Sequence, residues 1–288
     1  MNSRKEKMFP YLLIAPSVLV ILLVLLIPLG YAVYCSLYTA KYMSFDNFVG
    51  IKNYLKIVQN TEYLSLFGRT FYISAISLVI SLFLGLAFGL WTHKCKGIYA
   101  YAIQLVVLVP WVTSQVVSTM LWKWVLNEDT GLFNFILQSL GGQKLAFFSD
   151  KSTAVIMLIL IMAWRTIGYA MVNILAGLKG IPISIEEASL IDGANGWQRI
   201  RFIRIPMIKT QLLISAVIIS LSNINNLVVP MALTGGGPGT ATNVITLEIY
   251  KIGFQSYQFG ISSALSVLLF IITVILSIVY VKAVRYDI

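Results

Sequence analysis

Charge is scarce in this chain: 11% of its 288 residues are Asp, Glu, Lys or Arg, while 58% are hydrophobic. A soluble globular chain carries about 25% charged residues, so a water-exposed body of this length is excluded. Acids are scarcer than bases, eleven against twenty-one. None of Glu6, Asp46, Glu62, Glu128, Asp129, Asp150, Glu186, Glu187, Asp192, Glu248 and Asp287 falls deep in an apolar run. That leaves no intramembrane carboxylate for the ion relays of secondary carriers. The single histidine, His93, sits beside Lys94 and Cys95 at the end of an apolar run. It is expected at the surface, and it can assemble neither a metal site nor a nucleophile–His–acid set. Cys35 and Cys95 lie in different segments and give no disulfide framework. No GxxxxGK[ST] stretch exists to bind nucleotide, and no internal repeat is visible.

What the chain has instead is long apolar runs. Six reach the ~20 residues that a bilayer requires: 10–37, 67–92, 98–125, 152–178, 207–230 and 259–281. A net charge of +10 could suggest nucleic acid, but the lysines and arginines fall in short loops between the runs, which reads as membrane topology. The loop bias puts both termini on the cytoplasmic side, together with loop 181–206. Arg4, Lys5 and Lys7 precede the first run as they would in a signal peptide. That run is too long, contains Pro16 and Pro28 and lacks a small-residue cleavage site, so it is expected to be a retained span.

Loop 181–206 carries three of the eleven acids, Glu186, Glu187 and Asp192. Pro182 blocks continuation of the helix before it. Ser184 and Glu187 have capping-box spacing, which predicts a new helix from Ile185 to Asp192, ended by Gly193 in the left-handed conformation. Asn195 and Gln198 repeat the start signal for a second helix, 196–204. Its Trp197, Ile200 and Ile203 would share one face, with Arg199, Arg201 and Arg204 around the rest, as suits a membrane surface. The first helix is only about two turns long and needs a surface to dock on, because isolated helices under roughly 12 residues are marginal.

Glu187-Ala188-Ser189, Asp192-Gly193-Ala194, Ile203 and Pro206 resemble the EAA loop of the permease subunits of binding-protein-dependent ABC importers. That pattern reads E-A-A, two residues, D-G-A, eight residues, I, two residues, P. Ser189 replaces the usual second Ala, and Ile200 stands where Phe is common. The resemblance implies an all-α membrane protein of six transmembrane helices with the type I importer permease fold. Residues 1–66 would form the first span and an extracellular segment, and 67–288 a five-span core. It implies a coupling helix seated in a cleft of a separate ATPase, with Glu186, Glu187, Ala188, Asp192, Gly193, Ala194 and Pro206 as the coupling set. It further implies a second permease subunit, two ATP-binding cassette subunits that hold ATP and Mg, an extracellular solute-binding protein, and a prokaryotic inner membrane as location. This chain would then bind no cofactor, contact no nucleic acid and catalyse nothing itself.

Softer similarities point to the sugar branch, of maltose and glycerol-phosphate type. They are 11–16, 28–38, Val49-Gly50-Ile51-Lys52-Asn53-Tyr54 (expected as a short surface helix), 235–250 and 259–264. The implied cargo is a sugar or oligosaccharide. The alternatives are glycerol phosphate, a peptide or an anion in the same importer class, or an ATP-independent carrier or channel. The outer stretch 127–150 shows little periodicity and is expected to be a loop. Thr234 to Thr240 is expected to be a Gly-rich outer turn with receptor contact.

Polar residues inside the runs are candidates for a substrate path. Arg165 is the one charge placed within a span, where arginine costs at least ~2.5–3.5 kcal/mol. It either lines the path or bonds to carbonyls or a partner subunit. Tyr169 and Asn173 follow at helical spacing on its face. Asn223, Asn225 and Asn226 form a polar knot in the fifth run, where helix–helix hydrogen bonding is the competing use. Trp111, which could stack on a sugar ring, and Gln115 complete the set.

Overall fold

The computed structural model describes residues 3–42 and 44–285. The side chains of Arg4, Lys5 and Lys7, on which part of the topology expectation rests, lie outside the described residues, as does Asp287. Almost every described element is helical, with one two-stranded sheet. The chain divides into two compact units, 1–64 with 248–272, and 65–247 with 273–288.

In the first unit, α1 (Ser3–Ser36) is an apolar helix whose described side chains, from Tyr11 on, stay almost wholly uncovered until its last turn. It leads directly into a hairpin that sequence reading missed, β1 (Tyr38–Lys41) antiparallel to β2 (Ser44–Phe48). A short helix follows, α2 (Lys52–Gln59), shifted C-terminally from the expected 49–54. Asn53 Nδ2 donates to the carbonyls of Ser36 (2.7 Å) and Tyr38 (3.1 Å), tying α2 to the end of α1. 

The second unit is built around α7 (Lys151–Lys179), whose Asp150 N-cap accepts from the amides of Ser152 and Thr153. A stripe of small residues at i, i+4 spacing in α3 (Thr61–Lys94) lies against it. Ser77 Oγ donates to the Ile159 carbonyl, and the Ser81 and Thr166 hydroxyls share a 2.7 Å hydrogen bond. One turn further, a Cβ at Gly85 would come within 2.5 Å of the Ala170 methyl. Small residues allow such close approach where lipid supplies no hydrophobic drive for helix association. 

Two of the six expected spans are interrupted. The third is two helices, α4 (Ile98–Val112) and α5 (Gln115–Val125), bent by 99°. Pro110 in the last turn of α4 contributes to the break, because it removes an amide donor and crowds the preceding turn. The outer stretch expected as a loop contains α6 (Leu132–Ser139). After the helices of loop 181–206, the fifth span is α11 (Lys209–Ile224), which stops short of residue 230. At ~1.5 Å per residue, its 16 residues fall short of a full crossing. Residues 225–227 break the helix before α12 (Val228–Leu233). The Gly-rich turn follows, with Gly235, Gly236 and Gly239 in the left-handed region that glycine permits. Next come α13 (Ile245–Tyr250), a π-turn at Lys251–Gln255, and α14 (Phe259–Arg285). Among the described residues, α1, α3, α7 and α14 can each cross a bilayer by length and composition, and the total reaches six if α4 with α5, and Gly196–Met207 with α11 (bent by 68°), each count as one span.

Candidate coupling loop and polar path

The first helix of loop 181–206 starts two residues earlier than the sequence suggests. Helix α8 runs Ile183–Ile191, with Pro182 as N-cap and no side-chain capping bond. Ser184 therefore lies inside the helix and does not cap it. Pro182 does that work through its backbone: its fixed φ ends α7's direction, and its carbonyl accepts from the Ile185 amide at 3.1 Å. The far end is as expected. Gly193 has φ +74°, with Gly193 N–H donating to Leu190 O and Ala194 N–H to Ser189 O. These two bonds make a Schellman cap. The second start signal also forms. Asn195 Oδ1 accepts from the Gln198 amide at 2.9 Å, and Gln198 Oε1 accepts from the Asn195 amide at 2.8 Å.

The helix that follows is not a uniform α-helix. It opens as α9 (Gly196–Arg199), passes through a π-turn at Ile200–Arg204 and closes as α10 (Ile205–Met207). The arginines consequently do not all ring the outer face. Arg204 is 8% exposed. Its Nε and Nη2 donate to the two oxygens of Glu186 at 2.7 and 2.9 Å, and Arg199 Nη2 donates to the same carboxylate. The Arg204 bonds, joined by those of Arg199, hold the Glu186 carboxyl down at about 2 against the opposing effect of burial. His93, expected at the surface, is half-buried within electrostatic reach of this cluster.

Outward, the loop presents Glu187 and Asp192 with a set of uncovered apolar side chains. Ile191 is 86% exposed and Ile183 74%, with Leu190, Trp197 and Phe202 also exposed. Ala188 and Pro206 are exposed as well, and Ala194 is half-buried. Such a surface, with apolar groups flanked by acids, is suited to a protein cleft rather than to water.

The polar path residues fall into two groups. Arg165 Nη1 donates to Ser118 Oγ at 2.7 Å and to the Thr113 carbonyl at 3.4 Å, so it holds the break between α4 and α5. Beside it, the Trp111 and Tyr169 rings lie 4.8 Å apart. Asn173 Nδ2 donates to the Tyr169 carbonyl, and Gln115 begins α5, its carbonyl accepting from Thr119 Oγ1. The second group ends α11. Asn223 is buried, and its Nδ2 has no partner among the described residues. Asn225 is exposed, while Asn226 Oδ1 accepts from the Val229 amide and so caps α12. Ser118 and the arginine partners of Glu186 were not visible in sequence, because both pairings depend on breaks and turns that bring distant residues together. Among the described residues no cluster of His, Cys, Asp and Glu could hold a metal.

Residues 78–285 match the family described as "Binding-protein-dependent transport system inner membrane component". The chain is 31% identical to the trehalose/maltose transport system permease protein MalF of Thermococcus litoralis, over 98% of this chain and 95% of that one. It is 29% identical to the sn-glycerol-3-phosphate transport system permease protein UgpA of Agrobacterium fabrum, over 94% and 93%. Among solved structures it superposes with a TM-score of 0.83 on a chain of a bacterial alginate ABC transporter in complex with an alginate pentasaccharide-bound periplasmic protein. The two are 21% identical, covering 97% of this chain and 94% of that one.

Proposed function

The chain belongs to the family of binding-protein-dependent transport system inner membrane components. From that premise we propose that it passes a sugar or oligosaccharide from an extracellular binding protein into a prokaryotic cytoplasm, driven by a separate ATPase. It has the fold of an ABC importer permease and is a transport subunit, not itself an enzyme. The observation that carries the coupling reading is α8, whose Schellman cap and Glu186 cluster fix its direction while Ile183, Leu190 and Ile191 stay uncovered. A two-turn helix that exposes so much apolar surface gains most by docking. The ATPase pair would receive it, and a second permease subunit would complete the path.

The relative from the trehalose/maltose system supports a sugar as cargo. Relatives of the glycerol-phosphate type keep that ester as the second reading. Reconstitution with the co-purifying chains, and uptake of labelled sugars with and without ATP, tests both. Uptake that is equal without ATP would reject the importer reading. ATP-driven uptake of glycerol phosphate with no sugar taken up would select the second.

A further inference from the structure

Glu186 and Glu187 are neighbours on α8, and successive helix residues point about 100° apart. They point in different directions, and here only one of them stays open to a partner. Glu187 is exposed, whereas the Glu186 side chain is 19% exposed and its two oxygens are taken by Arg204 and Arg199. 

Those two arginines are five residues apart. On an α-helix five residues amount to about 140° of net rotation, which would send them to different faces. The π-turn narrows that difference. Its Ile205 amide bonds to the Ile200 carbonyl, five residues back, which widens the turn and brings residues at that spacing closer to one face. Both guanidinium groups then reach the same carboxylate. The Arg204 carbonyl accepts from the Ile208 amide at 3.0 Å. Ile208 is fully buried, in a core with Ala170, Ile174 and Leu178 of α7 and Ile219 of α11. A continuous series of short contacts therefore runs from α8 through Glu186 and Arg204 to the root of α11.

The geometry points to Glu186 as a positioning residue, which locks α8 to the base of α11 so that displacement of the docked helix is delivered to α7 and α11 instead of being absorbed by the loop. The inference rests on the reading of α8 as the ATPase-docking helix. It assigns Glu186 to the interior of the loop and leaves Glu187 to face the partner.

The test uses the assembled importer with E186Q, the charge-reversed pair E186R/R204E, and E187K. ATPase co-purification and uptake per ATP hydrolysed are measured for each. E186Q is expected to retain the ATPase while uptake per ATP falls about fivefold or more, the size of an ordinary coupling free energy. The reversed pair is expected to recover part of the loss, because the opposite charges still meet. Unchanged uptake per ATP in E186Q, with ATPase lost from E187K, would overturn this inference alone. ATPase loss from E186Q with no recovery in the reversed pair would also overturn it, by making Glu186 a partner contact. Full ATPase retention and uptake in E187K would reject the docking reading, and this inference with it.

Discussion

At residue scale, the close approach of α3 and α7 turns on a missing methyl group. A Cβ at Gly85 would sit 2.5 Å from that of Ala170 and 3.1 Å from the Met171 amide nitrogen, with backbone on one side and a packed methyl on the other. Neither can yield without moving a helix, and overpacking of this kind costs about 1–3 kcal/mol. Gly85→Val is therefore expected to lower the thermal midpoint of the purified chain in detergent by several degrees. Ser77→Gly, which removes one hydrogen bond without adding volume, should lower it less. Light-scattering or fluorescence melts of the two variants check the order. Acid sensitivity is a second property of single residues. The Glu186 carboxyl is held from its ordinary 4.5 to about 2, and a depressed carboxylate stabilises the fold above its unfolded value and loses that contribution as pH falls through the folded one. The loop is expected to stay docked down to pH ~4.5 and to loosen progressively toward pH ~2. Limited acid proteolysis at loop 181–206 would report it, with E186Q showing no such window. Nothing in sequence showed that the Glu186 carboxylate turns inward, because its partners lie 13 and 18 residues away and reach it only through a turn and a π-turn.

At the scale of elements, local signals were legible where they act over three or four residues. Asn195 and Gln198 form the capping box that their spacing implies, and Gly193 takes the positive φ. Ser184 and Glu187 have the same spacing and form no box, because Pro182 starts the helix earlier and leaves Ser184 no N-cap position to occupy. Periodicity found the apolar runs but not their breaks. An apolar run reads the same whether straight or bent by 99°, and the hairpin at 38–48 is too short and mixed to show alternation. The Schellman cap gives a prediction about the element as a whole. A β-branched residue pays roughly 1–2 kcal/mol in the left-handed region, and Gly193 has no neighbour within 4 Å that a new side chain would strike. Gly193→Val should therefore act on α8 direction and not on packing. Membrane insertion and yield are expected to survive, while ATP-driven uptake falls at least severalfold. Gly193→Ala, with no branched carbon, should lose less. Normal uptake together with normal ATPase co-purification in the Val variant would refute the directional role.

On the scale of the whole molecule, the polar residues placed in apolar runs have separate structural duties. Arg165 bridges the broken third span through Ser118 and the Thr113 carbonyl, and Asn226 caps α12 where the fifth span ends. Both serve backbone breaks, and non-helical backbone at membrane depth is tolerated only where protein buries it or water lines it. The two breaks are therefore where the proposed path is expected to open. Asn225 is exposed at one, and Arg165 is half-buried at the other. Single Cys substitutions at these positions, in a chain with Cys35 and Cys95 replaced, should react with a water-soluble maleimide. The rate should differ between nucleotide-free and ATP-trapped complexes by roughly tenfold, as a population shift of about 1.4 kcal/mol would give. A Cys at Ile161, which is 3% exposed in the core of the second unit, serves as the protected reference. Protection equal to that reference at both positions and in both states would mean that these residues only mend the broken helices, and that the path runs elsewhere.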